Sequence, residues 1–387
     1  MEPDECGQRG DDMALDDIPE TDDPYELISR AAALEFGAPE RSSLLDRAIV
    51  LADRSGSQRA QFDARMARVE DATFGGDPEI ALAHFAWCKK LAAQDAEYMT
   101  FEMRWYHKYV SMGMASFARI SQRQIDAIDA DMMALYKEEG ISLRPVYTCR
   151  VHRLQQQGRV AEARQAWDEA MTHRRDAYAD CAACEKSRLI TLLLSEERYD
   201  EVVRVAEPIV AGQLKCAEVP HTVLPRVMQA LNRLGDAQQA EALADRSYRL
   251  IRSNPNFLSS TCTHVHHRVA LGQFDKAASL LLRHAPWALA CRDDLDRLEY
   301  ANTLGLVLRL GRDQRKTRSA SLPKLADVVD QFLGAAQPGA SPADYDLLLQ
   351  RVDRAGQAMS AALDARNGNS FFARAWGVCK FQSNALT

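Results

Sequence analysis

Apolar positions recur with a helical period along most of the chain. RPVYTCRVHRLQQQ (144–157) sets Tyr147, Val151 and Leu154 on one face. KSRLITLLLSEE (186–197) does the same with Leu189, Ile190 and Leu193, and HTVLPRVMQALNRL (221–234) with Leu224, Val227, Met228 and Leu231. Stripes at i, i+3, i+4 and i+7 predict amphipathic helices that each bury one side. Few stretches alternate with the period of two that a half-buried strand requires. The expected fold class is all-α.

A longer period overlies the helical one. Four segments align: GRVAEARQAWDEAM (158–171), ERYDEVVRVAEPIV (197–210), GDAQQAEALADRSY (235–248) and GQFDKAASLLLRHA (272–285). Each opens on a turn residue, usually Gly. Five positions later each carries a small or apolar residue, Ala163, Val202, Ala240 and Ala277, spaced by 39, 38 and 37 residues. A fifth copy, GDPEIALAHFAWCK (76–89), places Ala81 82 residues before Ala163, which leaves room for a degenerate copy between them. The helical stripes precede these segments. The unit therefore reads as helix A, a tight turn, helix B and a longer loop. Gly permits the turn at positive φ, and Ala lets the two helices approach closely.

This pattern resembles the tetratricopeptide repeat (TPR) family, in particular bacterial proteins of this class with units of about 37–41 residues. Tyr147, Leu154, Gly158, Ala163, Trp167 and Ala170 form the best copy, and Gly235, Ala240, Ala244, Gly272 and Ala277 repeat the theme. The units are longer than the family's usual length and lack its Pro after helix B. The resemblance covers residues 70–310. It implies a right-handed α-solenoid of stacked antiparallel helix pairs with helical caps, whose A-helix face holds a peptide. Aligned on the repeat, His152, Gln156, Thr191, Gln229, Arg233 and His266 project toward that groove. The family's strong basic clamp for an acidic C-terminal peptide is not among them, which argues against a chaperone adaptor.

Beyond residue 312 the pattern breaks. DQRKTRSASLP (313–323) reads as a polar loop, a short helix follows near 323–334, and AAQPGASPA (335–343) reads as a second linker. Ser341-Pro342-Ala343-Asp344 predicts a helix start, with Ser as N-cap and Pro in the first turn. That helix is expected to end at Asn367-Gly368. The expected divisions are an acidic arm (1–23), the repeat array (24–312, with 24–60 capping its first end), a linker with a short helix (313–341), and a capping helix and tail (342–387). Terminal caps hide the apolar faces that a solenoid would otherwise expose.

Charge adds one feature. The 387-residue chain carries −7 overall, yet residues 1–23 alone carry −9, so the remainder is close to neutral. Few large apolar residues lie in that arm, so it is expected to be disordered, as a solubilising tail or as a docking arm. The overall balance lacks the basic surplus of a nucleic-acid binder. No apolar run reaches the length of a membrane span, and the N-terminus has no signal-peptide pattern. The expectation is a cytoplasmic protein without nucleic-acid or membrane partners.

Nucleotide-binding glycine loops, the G-x-S-x-G elbow and H-E-x-x-H are all absent from the sequence. The chain is therefore expected to be non-catalytic. His264 and His267, one helical turn apart, could share a ligand or simply be structural. Arg104-Trp105-Tyr106-His107-Lys108-Tyr109 could be a binding patch, although Trp105 and Tyr109 at i, i+4 fit core packing better. Cys6, Cys88, Cys149, Cys262, Cys291 and Cys379 show no ligand pattern.

One constellation has metal-ligand spacing. Cys181-x-x-Cys184 precedes one A helix and Cys216-x4-His221 precedes the next. Loops that enter successive A helices lie on one edge of a helix-pair array, so these four residues are expected to be neighbours. Zn²⁺ accepts such a Cys3His set tetrahedrally and would staple one repeat to the next. Separate reduced thiols, a redox-labile pair and a catalytic or regulatory metal are the alternatives. No cofactor is otherwise required. The expected function is a scaffold that binds a protein or peptide in its groove. The alternative is a ligand- or peptide-responsive regulatory sensor lacking its own DNA-binding module.

Overall fold

The computed structural model describes residues 21–216, 218–334 and 344–380. These form nineteen α-helices and three short 3₁₀ turns, with no strand among the described residues. The predicted acidic arm lies outside them up to residue 20, as does the predicted second linker. No helix among the described residues is long and apolar enough to cross a membrane. The chain divides into two compact units, one ending at Met103 and one beginning at Arg104.

The first unit contains α1 (Pro24–Ala32), α2 (Pro39–Ser55), α3 (Gln58–Phe74) and α4 (Pro78–Ala92). Pro opens α1, α2 and α4, and the side chains of Asp23, Ser57 and Asp77 cap α1, α3 and α4. Each cap satisfies a backbone N–H that has no partner within the helix. Leu27, Leu44, Leu45, Ala48, Ala52 and Ala64 form the core. Asp71 is fully buried and is answered by Arg41 at 3.1 Å and Arg68 at 3.0 Å.

After α5 (Phe101–Gly113), the second unit contains α6 (Gln122–Glu138) and then the expected pairs. These are α7 (Arg144–Gln156) with α8 (Val160–Thr172), α9 (Ala182–Ser195) with α10 (Tyr199–Val210), α11 (Val223–Arg233) with α12 (Ala237–Ile251), and α13 (Leu258–Ala270) with α14 (Phe274–Arg283). The four aligned turn residues, Gly158, Glu197, Gly235 and Gly272, all have positive φ, between 59° and 82°. The four aligned small or apolar residues, Ala163, Val202, Ala240 and Ala277, are all 0% exposed. The A helices form a continuous row in which α7 packs on α9, α9 on α11 and α11 on α13.

The row continues into α16 (Asp294–Asp313), which follows the short α15 (Ala285–Ala290). The short helix expected near 323–334 is present, and its apolar face is part of the core. α17 (Ser321–Leu333) buries Leu322, Leu325, Val328, Val329 and Phe332 against α14, α15 and α18 (Tyr345–Asn367). Its apolar residues fall at helical spacing, which makes a face that must be covered. The cap of α18 also differs from the expectation. Asp344 is the N-cap, accepting from the N–H groups of Asp346 and Leu347, while Ser341 and Pro342 lie outside the described residues. The helix ends as expected, with Gly368 at φ 68°.

The end of this unit returns to its beginning. Arg366 donates to the carbonyls of Ala115 (2.7 Å), Phe117 (2.9 Å) and Ile120 (3.3 Å). Asp294 accepts the N–H of Ala118 at 2.8 Å. Asn369 donates to the carbonyl of Gln157 at 2.7 Å, and α19 (Phe371–Ala375) sets the Phe371 ring against Gly158.

Two alanine substitutions separate backbone strain from this contact. A Cβ at Gly235 meets nothing within 4 Å, whereas one at Gly158 falls 2.2 Å from Phe371 Cγ. Gly235→Ala should cost about 1–2 kcal/mol, from positive φ alone. Gly158→Ala should cost roughly 2–4 kcal/mol, because Phe371 must also move. Urea denaturation checks both, and equal costs would mean that Phe371 is not seated on that turn.

Candidate functional site

The predicted groove residues lie on the A-helix row, and the chain itself occupies part of it. Trp376–Lys380, the segment after α19, crosses α16, α13 and α11. Asn302 on α16 accepts the N–H of Gly377 (2.8 Å) and donates to the carbonyl of Val378 (3.3 Å). His266 on α13 accepts the N–H of Lys380 at Nδ1 (3.1 Å). Arg233 on α11 donates to the carbonyl of Lys380 (2.9 Å). Three side chains from three successive A helices thus satisfy four main-chain groups of one strap. The Lys380 ammonium reaches Glu299 (2.8 Å) and Thr263 (3.1 Å), and Cys379 is fully buried. Trp376 donates to Asp353 at 3.1 Å and lays its ring on Gly356.

The segment expected as a tail thus lies along the row. Arg233 and His266 hold the strap. Gln156 does not face open space, because it donates to Ser116 at 3.0 Å where the ends of the unit meet. Thr191 returns its hydroxyl to the Ser187 carbonyl (3.0 Å), and Gln229 is half-buried on α11 between Arg226 and Arg233. His152 is half-buried on α7; burial and the nearby Arg188, Arg226 and Arg153 push its pKa down to about 3.

Sequence reasoning missed Arg188 and Arg226. They stand 38 residues apart, at one repeat position, one helical turn before Thr191 and Gln229. Arg188 pairs with Asp180 at 2.7 Å, and Lys108 shares that carboxylate at 3.2 Å. Burial alone would raise the Asp180 pKa, but Arg188 and Lys108 hold it well below the usual carboxylate range. Arg226 donates to Ser187 at 3.0 Å; burial and the charge of Arg188 lower its pKa to about 10. Asn302 and Glu299 were missed because the repeat alignment stopped at Ala277. Extending it by one further unit from His266 reaches α16.

The cysteine constellation is only partly as expected. Cys181, Cys184 and Cys216 bring their sulfurs within 4.8 Å of one another. Cys181 is the N-cap of α9, Cys184 lies in the first turn of that helix, and Cys216 comes from the loop between α10 and α11. The Cys184 and Cys216 sulfurs are 3.4 Å apart. Burial raises the Cys181 thiol, but the Cys184 N–H, the Cys184 and Cys216 thiols and the Ala183 N–H outweigh it and lower its pKa. These three residues can hold a metal ion. His221 does not join them: its ring stacks on Phe257, with centroids 5.3 Å apart and planes 5° apart. The sequence spacing placed it near Cys216, but the ring is drawn off by an aromatic face.

The remaining candidates resolve as packing. His264 bonds to Ser247 (3.0 Å) and His267 to Glu241 (2.7 Å), so the two take separate partners. Trp105 and Tyr109 pack ring to ring with centroids 6.0 Å apart, and Lys108 lies over Trp105. Cys88, Cys149 and Cys262 are buried, as expected of small hydrophobes. The chain matches no known family model and no curated protein. Its own geometry therefore carries the functional reading.

His266 gives the site a pH dependence. It is fully buried, and Nε2 faces Thr303 at 3.0 Å while Nδ1 accepts from Lys380. Burial, opposed by Glu299 and reinforced by Lys380, lowers its pKa to about 4. The unfolded chain binds this proton near pH 6.5 and the folded chain does not, so stability falls as pH drops from about 6.5 to about 4. His266→Gln should remove up to about 1.4 kcal/mol per pH unit of that slope, read from urea denaturation at several pH values.

Proposed function

We propose that this chain is a non-catalytic scaffold of the cytoplasm, related to TPR proteins, that holds a protein or peptide segment against its A-helix row. The observation that carries the reading is the strap at Trp376–Lys380. Asn302, His266 and Arg233 bind its main chain, which every peptide possesses. Each such bond contributes about 1 kcal/mol, so recognition is modest and adjustable. The strap is the groove's ligand in cis, and a partner segment competes with it. The reading also assigns zinc to Cys181, Cys184 and Cys216, with a structural role that ties α9 to the loop before α11.

Loosening the strap in the full chain tests the groove. Lys380→Glu sets two carboxylates against each other at Glu299. A fluorescent peptide of sequence FFARAWGVCK, residues 371–380, should then bind at least tenfold more tightly than it binds the wild type, by fluorescence anisotropy. Adding Asn302→Ala should reverse that gain. A folded Lys380→Glu chain that binds no better than wild type would refute the groove reading.

A further inference from the structure

We infer that the Cys181, Cys184 and Cys216 cluster binds zinc with three thiolates and keeps a fourth coordination position open to an external donor. This rests on the zinc reading given above and changes its character, because a closed four-ligand site would be purely structural.

Geometry supports a common centre. Thiolates held about 2.3 Å from one tetrahedral ion stand roughly 3.8 Å apart. The observed sulfurs lie 3.4 Å apart for Cys184 and Cys216, and all three fall within 4.8 Å. Only small side-chain adjustments separate this arrangement from three ligands on one ion. Soft thiolates favour Zn²⁺ over hard cations such as Mg²⁺ or Ca²⁺.

Three ligands are what the described residues supply. No other His, Cys, Asp or Glu joins the group. His221 is turned onto Phe257. Of the acidic groups nearest in sequence, Glu218 is exposed and lies outside the group, and Glu185 and Asp180 are held by other partners. Glu185 is held by Arg144 at 2.8 Å and Arg175 at 2.6 Å, and Asp180 by Arg188 and Lys108. Cys181 is exposed, so the fourth position faces solvent, where water occupies it at rest and a soft donor, thiolate or imidazole, can replace the water. Binding displaces protons from the thiols and leaves no redox step to balance.

The position matters for the groove. Cys184 stands one turn before Arg188 on the same stripe of α9, which continues through Thr191. A cysteine or histidine carried by a segment lying on the A-helix row is thus the kind of donor that would complete the ion.

The test uses the full chain, reduced and stripped of metal, titrated with Co²⁺ as a spectroscopic stand-in for Zn²⁺. One equivalent should bind with sulfur-to-cobalt charge-transfer bands, and Zn²⁺ should displace it. Adding imidazole or 2-mercaptoethanol should shift the visible bands. Cys181→Ser, which keeps an N-cap oxygen at an exposed site, and Cys184→Ser should each weaken binding at least tenfold. His221→Ala and Cys6→Ser should change it less than threefold. No binding, or binding indifferent to Cys181→Ser and Cys184→Ser, overturns both the zinc reading and the open site. Tight binding whose bands ignore added donors, or that is lost in His221→Ala or Cys6→Ser, keeps zinc and overturns the open position alone.

Discussion

The second unit depends on one short distance: five residues from a positive-φ turn to a side chain small enough to bring two helices together. Gly158, Glu197, Gly235 and Gly272 make the turn, and Ala163, Val202, Ala240 and Ala277 make the approach. Close packing of a B helix on its A helix fixes where the next loop leaves. That in turn puts every A helix in the same row, with the same stripe turned the same way. The candidate groove, the arginines at one repeat position and the cysteines at successive loops all follow from this repetition. Glu197 shows how firmly the geometry is imposed, since a side chain other than Gly accepts φ 59° there.

The strap uses that regularity. Main-chain groups need partners when they are buried. A helix satisfies its own, but residues after α19 cannot. Their partners come from side chains that the row presents at nearly even steps: Asn302, His266 and Arg233. The one charged side chain of the strap, Lys380, ends on Glu299, and the burial that would raise the Glu299 pKa is outweighed by Lys380 and His266. A partly buried pair of this kind contributes by direction more than by strength, because desolvation offsets much of the attraction.

Much of the architecture was legible because it depends on local rules. Positive-φ turns declare themselves through Gly, buried contacts through Ala, and helix faces through spacing. The stop at Asn367-Gly368 was readable for the same reason. The site was legible only where it repeats. Cys181, Cys184 and Cys216 were found because neighbouring loops must lie near each other in such a stack. His221 stands apart from the three sulfurs, because which way a ring turns depends on Phe257, a partner that spacing does not encode. The strap was invisible for a deeper reason. Its contacts join residues 75 to 147 positions apart through main-chain atoms, which leave no mark on side-chain pattern. α17 was half-seen: its helix was expected, but the covering of its face by α14, α15 and α18 was not.

The bonds from Arg366 to Ala115, Phe117 and Ile120 bear on how this unit comes apart. A linear repeat array behaves like a one-dimensional chain of coupled units, and it frays from its ends because a terminal repeat has one neighbour instead of two. Joining the last long helix to the first turn removes those ends. The elements at the two ends then hold each other, which opposes fraying from either one. The cost is kinetic: closure spans about 250 residues of sequence, so it must form late, after the intervening pairs have stacked. A fold assembled from local contacts thereby acquires the all-or-none unfolding of a closed domain.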